Sequence, residues 1–169
     1  MVAKRNNPGR ANAARVLLLT RIFAAPRPLV FAACTEGVHL QQWCAPSGFT
    51  IPTSEGDLRP GGHWRSCMVA PDGTKHRASG RYLEIEKDRR VVFTHAWEEN
   101  GRRGHETTVT LTFSDLGPKT KLVLRQEIFD STASCEGHRD GWSQCLEKLR
   151  DLLGDLRDRA RKSAATTRP

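Results

Sequence analysis

The sequence predicts an α+β fold in which a curved antiparallel β-sheet is wrapped around a long C-terminal helix. Three observations lead to this prediction. Alternating apolar stretches separated by short turns follow residue 62, two short helical stretches follow the first strand, and an apolar stripe runs through residues 137–153. A sheet with one apolar face needs a cover, and the stripe on the last helix supplies it.

The first elements are a strand and two short helices. The stretch "RVLLLTRIF", residues 15–23, predicts the strand, and Pro26 and Pro28 end it while suiting the first turn of a helix. The stretches "PLVFAAC" and "EGVHLQQW" predict the two helices. A short edge strand is expected around residues 49–53, where Pro52 limits pairing.

From residue 62 the turn signals predict a meander. The segments "PDGT", "EKDRR", "NGRRG" and "GPKT" separate stretches in which apolar and polar residues alternate. Consecutive strands joined by short turns favour antiparallel pairing between neighbours. Five or six strands are therefore expected before the final helix.

The final helix combines an apolar stripe with an unusual first half. The stripe comprises Trp142, Cys145, Leu146, Leu149, Leu152 and Leu153. Gly137 and Gly141 each cost about 1 kcal/mol relative to alanine inside a helix, so we expect them to allow close approach to a strand or a ligand. His138 and Trp142, four residues apart, share one face. With the sheet, this helix makes the pattern of a helix-grip fold.

A single domain over residues 14–154 with two disordered basic tails, 1–13 and 155–169, is the expected organisation. The chain has 169 residues and a net charge of +8. Three basic and no acidic residues lie in 1–13, and five basic against two acidic residues lie in 155–169. Because the excess charge sits in segments of unstructured composition, no specific nucleic-acid partner is expected.

Composition and motifs also argue against several classes of site. No apolar run approaches the roughly 18 residues of a membrane span, and the run at residues 16–19 is too short for a signal peptide, so a cytoplasmic protein is expected. Five cysteines without a CxxC pair argue against a disulfide framework and a zinc site. The segment "GHETT" lacks the second histidine of HExxH. We expect no metal and no cofactor.

Four passages resemble the SRPBCC superfamily, in the group similar to the activator of the heat-shock protein 90 ATPase. They are "RPLVFAACTEGVHLQQW", "GGHWRSCMVAPDGTKHRASGRYLEIEKDRRVVFTHAWEE", "TTVTLTFSDLGPKTKLVLRQEIF" and "GHRDGWSQCLEKLRDLL". The superfamily includes START lipid-transfer domains, the birch-pollen-allergen fold and polyketide cyclases. The chain resembles the stand-alone bacterial members, without the chaperone-binding domain of the eukaryotic co-chaperone. The resemblance implies a hydrophobic cavity between the sheet and the C-terminal helix.

Alternation along the strands selects candidate residues for that cavity. They are Trp64, Met68, Phe93, His95, Trp97, Gln126, His138 and Trp142. Aromatic walls with a few polar groups suit a small apolar or aromatic ligand. The same alternation is also typical of an ordinary core. A buried Gln126 needs partners, so it either pairs with His138 or Trp142 or is available to a ligand.

Two other functions stay open at this point. A cyclase- or hydrolase-like enzyme would use His95, His138 or Arg125 as proton carriers, although the sequence does not name a catalytic residue. A chaperone-related protein-interaction module would need an exposed apolar or charged patch. A homodimer could form through an exposed edge strand.

Overall fold

The computed structural model describes residues 15–166, and its elements follow the predicted order. The strands are β1 (Leu17–Phe23), β2 (Thr50–Gly56), β3 (His63–Val69), β4 (Lys75–Glu86), β5 (Arg90–Glu99), β6 (Arg102–Arg103), β7 (Thr107–Leu116) and β8 (Lys119–Glu127). The helices are α1 (Arg27–Thr35), α2 (Gly37–Trp43) and α3 (Thr132–Thr166). None of these helices is both long enough and apolar enough to span a membrane.

The strands form one antiparallel sheet in the order β1-β8-β7-β5-β4-β3-β2, with the short β6 beside β5. Strands β2 to β5 each pair with the next strand in the chain, as do β7 and β8. The first strand joins the opposite edge, where Leu17 lies across from Gln126. The predicted α+β helix-grip class is therefore confirmed. Strand β6 forms within "NGRRG", which the sequence predicts only as a turn.

The face of the sheet that α3 covers holds the core. On the helix, Cys145, Leu146, Leu149 and Leu153 are buried. They belong to one continuous apolar cluster with residues of the central strands, among them Val109, Leu111, Phe113, Leu122 and Leu124. Full burial of such a side chain contributes about 1.5–3 kcal/mol. The C-terminal half of the predicted stripe thus anchors the helix to the sheet.

Helix α3 continues to Thr166, so the prediction of a disordered tail from residue 155 is wrong for residues 155–166. The continuation contains three arginines and three alanines, which are good helix formers. The guanidinium of Arg157 also donates a hydrogen bond to the carbonyl oxygen of Ala24, 3.2 Å away, which fixes the extension against the end of β1. The other predicted tail, residues 1–13, lies outside the described residues.

Two glycines make room for Trp64 on the sheet. Trp64 lies opposite Gly56 on β2 and opposite Gly80 on β4. A Cβ atom on Gly80 would lie 1.7 Å from the carbonyl oxygen of Thr94 and 2.5 Å from Trp64 Nε1. Because Gly80 has no side chain, the indole of Trp64 can donate its N–H to the Thr94 carbonyl at 3.0 Å.

The Gly80→Ala variant should lose at least about 2 kcal/mol of unfolding free energy, because its methyl group overlaps the Thr94 carbonyl and the Trp64 indole. Urea unfolding measures the loss. Gly154→Ala is the matched control, since a Cβ on Gly154 meets nothing within 4 Å, and it should gain about 0.5–1 kcal/mol from helix propensity. Equal stabilities of Gly80→Ala and the wild type would contradict this interpretation.

Candidate functional site: a cavity under the C-terminal helix

A cavity of about 450 Å³ lies between the sheet and the N-terminal half of α3. Side chains from β2, β3, β4 and β5 form its sheet side, and residues of α1, α2 and α3 complete its walls. Most of these residues are apolar or aromatic. The volume lies within the roughly 300–1,000 Å³ typical of small-molecule sites.

The structure places seven of the eight sequence-predicted residues in the walls of this one cavity. They are Trp64, Met68, Phe93, His95, Trp97, His138 and Trp142. Side chains two residues apart on a strand point to the same face, which brings the β3 residues and the β5 residues together. His138 and Trp142 face them from α3.

Gln126 is the exception, and its prediction as a cavity residue is wrong. The side chain is fully buried below the wall, and both ends of its amide are used. The amide nitrogen donates to Thr107 Oγ1 at 2.8 Å, and the amide oxygen accepts the indole N–H of Trp142 at 2.7 Å. Thr107 Oγ1 donates in turn to the His95 carbonyl at 3.1 Å. A buried chain of hydrogen bonds therefore joins α3 to β5.

The partners of His138 determine its tautomer. Its Nδ1 lies 2.8 Å from the carbonyl oxygen of Ser134, which can only accept, so Nδ1 carries the proton. Its Nε2 lies 3.1 Å from Trp97 Nε1, and an indole nitrogen can only donate, so Nε2 accepts. His138 is thus a neutral imidazole with both nitrogens engaged inside the protein.

His95 is in a different situation. Its side chain is 8% exposed and lines the cavity. Burial first, and then the charges of the nearby His138 and Arg103, lower its pKa from the ordinary value to about 3. Among residues 15–166, no other residue makes a hydrogen bond with its ring nitrogens. The ring packs edge-to-face against Trp97, with centroids 4.9 Å apart, and lies 5.6 Å from Trp64.

The wall residues that sequence reasoning missed include Tyr82 on β4 and three thiols. Tyr82 lines the cavity, and its two-residue spacing from Gly80 was a usable signal. Cys34, Cys44 and Cys145 also line it, and burial raises the pKa of all three thiols, that of Cys44 to about 12. They therefore form a protonated, weakly polar wall. Within the described range, no group of three or more potential ligands is arranged to hold a metal ion.

From the sequence, Gly137 and Gly141 of α3 are expected to allow close approach to a strand or a ligand. A Cβ on Gly137 would meet nothing within 4 Å, and one on Gly141 would meet only Pro46 Cγ, at 3.9 Å, so no strand approaches them closely. Both line the cavity, and their missing side chains leave space in it.

The cavity has little charge. Glu55 is the only carboxylate among its described lining residues, and it is paired with Arg65 at 2.8 Å. No lysine or arginine side chain between residues 15 and 166 lines the cavity. Arg125, a candidate proton carrier from the sequence, is exposed and paired with Glu127 away from it.

We expect His95 to lower the stability of the fold as the pH falls below about 6.5. The unfolded chain binds the proton near that ordinary pKa, whereas the folded protein binds it only near pH 3. Between pH 8 and pH 5, His95 should therefore remove about 2 kcal/mol of unfolding free energy.

Urea unfolding of the wild type and of His95→Phe at both pH values measures this difference. The variant should lose correspondingly less stability on acidification. The same pH dependence in both proteins would show that His95 is not held neutral by the fold.

The chain is similar to one protein family and to several solved structures. The family model "Activator of Hsp90 ATPase homolog 1-like protein" (AHSA1) matches residues 24–154. A search of curated proteins gives no match. Among solved structures, an AHSA1 protein from Silicibacter pomeroyi is 31% identical, with a TM-score of 0.76, covering 82% of this chain and 97% of that one.

Two further bacterial structures are similar over nearly their whole length. A Chromobacterium violaceum protein is 30% identical with a TM-score of 0.74, covering 82% of this chain and 96% of its own. One from Nitrosomonas europaea is 27% identical with a TM-score of 0.75, covering 86% and 98%. The family match over most of the chain and the shared helix-grip fold lead to one conclusion: this chain belongs to the AHSA1-like family of the SRPBCC superfamily.

Proposed function

We propose that the protein binds a small apolar or aromatic molecule in the cavity between the sheet and α3. The observation that carries this proposal is the wall itself, in which aromatic rings from four elements, β3, β4, β5 and α3, line one cavity. An AHSA1-like fold supports a ligand-binding domain in general.

The aromatic wall is continuous. The ring of Trp64 lies 5.8 Å from that of Phe93 and 5.6 Å from that of His95. His95 contacts Trp97, whose ring lies 6.2 Å from that of His138 on α3. Such rings present flat faces and edges to a guest molecule at centroid separations of about 4.5–7 Å. A planar aromatic guest can pack against this wall in the same way.

An enzyme of the cyclase or hydrolase type has less support from the side chains. Both nitrogens of His138 are engaged with Trp97 and Ser134. His95, with a pKa of about 3, is a weak base near neutral pH. A protein-interaction module also has less support. Apart from the pair Leu18 and Ile22 on β1, the exposed large apolar residues lie on separate segments of the chain, namely Val38, Leu58, Leu83, Leu116 and Ile128.

Naphthalene should bind saturably to the wild type and change its tryptophan fluorescence, because three of the four tryptophans line the cavity. In Gly141→Leu the new side chain occupies the cavity, and the Kd for naphthalene should rise at least about tenfold, which corresponds to about 1.4 kcal/mol. Gly154→Leu adds the same side chain to the same helix outside the cavity and should bind as the wild type does.

Two outcomes would contradict the proposal. One is the absence of saturable naphthalene binding to the wild type. The other is an unchanged affinity in Gly141→Leu, which would place the guest elsewhere on the protein.

A further inference from the structure

Most polar ring groups in the cavity wall are already satisfied by the protein. The indole of Trp64 donates to the Thr94 carbonyl, that of Trp97 to His138, and that of Trp142 to Gln126. His138 uses its second nitrogen on Ser134. These four rings therefore offer a guest molecule packing surface and no free hydrogen-bonding group.

Two polar side chains in the wall differ from these. His95 and Tyr82 are 8% and 7% exposed, and both line the cavity. Neither the imidazole of His95 nor the hydroxyl of Tyr82 makes a hydrogen bond with another residue in the described part of the chain. Both groups face the cavity, where a bound molecule can make the hydrogen bonds that water otherwise makes.

The sheet register brings these two groups close to Trp64. Tyr82 pairs with Phe93 in the β4–β5 ladder, and His95 follows two residues along β5 on the same face. Such diagonal neighbours are about 7–8 Å apart. The Trp64 ring lies 5.6 Å from that of His95, and a Cβ on Gly56 would touch both Trp64 Cβ and the Tyr82 hydroxyl. Both polar groups thus border the same aromatic surface.

Charge restricts the chemistry of the guest. The described wall has no cationic side chain, its one carboxylate is paired with Arg65, and burial keeps His95 neutral. An anionic guest would lose its hydration without gaining an opposite charge. A neutral imidazole and a phenol can each donate and accept hydrogen bonds. A hydroxyl group, which also does both, matches either of them.

Building on the proposed ligand-binding function, we propose that the ligand is an uncharged hydroxylated aromatic molecule whose hydroxyl group hydrogen bonds to His95 or Tyr82. These two residues determine specificity, while the tryptophans supply the packing surface. Other hydroxyl groups in the wall are less suited to this role. Those of Ser54, Ser66 and Ser134 are only half-buried, and Thr35 donates to the Phe31 carbonyl.

The test compares three probes of one shape, namely naphthalene, 2-naphthol and 2-naphthoate, by tryptophan fluorescence near neutral pH. In the wild type, 2-naphthol should bind about three- to tenfold more tightly than naphthalene, the range expected for one net hydrogen bond. The anion 2-naphthoate should bind at least about tenfold more weakly than 2-naphthol.

The variants Tyr82→Phe, His95→Phe and their combination identify the partner. The preference for 2-naphthol over naphthalene, measured within each variant, should fall to about onefold in the combined variant and in at least one single variant. Circular dichroism checks that each variant folds. His76→Phe is the matched control, because His76 is exposed on β4 and lies outside the cavity. It should keep the full preference.

The outcomes separate the two proposals. If naphthalene binds but 2-naphthol has no advantage in the wild type, the further inference fails and the cavity function stands. The inference also fails if 2-naphthoate binds most tightly or if the combined variant keeps the preference. If no probe binds, the proposed function fails and the inference falls with it. The comparison of the three probes in the wild type still tests the further inference if a variant does not fold.

Discussion

The hydrogen bond from the Trp97 indole to His138 Nε2 is the interaction on which the cavity depends. Together with the bond from Trp142 to Gln126, it joins the first half of α3 to the sheet beside the cavity. Gly137 and Gly141 contribute no side chain there. The second half of the helix is held differently, by the buried leucines of the core. The C-terminal half of α3 thus covers the apolar core, and its N-terminal half covers the cavity.

The same bond leaves two polar rings of the wall, Trp97 and His138, without a free hydrogen-bonding group. An indole can only donate, so His138 must accept on Nε2 and carry its proton on Nδ1, where Ser134 receives it. Breaking such a bond in a buried site would leave a polar group unpaired, at a cost of about 1–3 kcal/mol. The tryptophans of the wall and His138 are therefore hydrogen bonded within the protein, whereas His95 and Tyr82 face the cavity.

Periodicity predicted the sheet, the short helices and the face of β3 and β5 that lines the cavity, because alternation assigns residues to faces. Periodicity could not show how deeply each inward-facing side chain is buried. Gln126 shares the inward face of β8 yet lies below the wall, since its partners Trp142 and Thr107 come from other elements. The thiols were missed for the same reason, because no sequence pattern shows where helices cross a sheet. The sequence predicts the end of α3 too early, because the hydrogen bond from Arg157 to Ala24 joins residues that are far apart in the chain.

The bond between Trp97 and His138 is directly measurable by nitrogen-15 NMR. A scalar coupling between Trp97 Nε1 and His138 Nε2, transmitted through the hydrogen bond, should be observed in uniformly labelled protein, and His138 should show the chemical shifts of an imidazole protonated only on Nδ1. Finding the proton of His138 on Nε2 with no coupling to Trp97 would contradict this account of how the helix is held above the cavity.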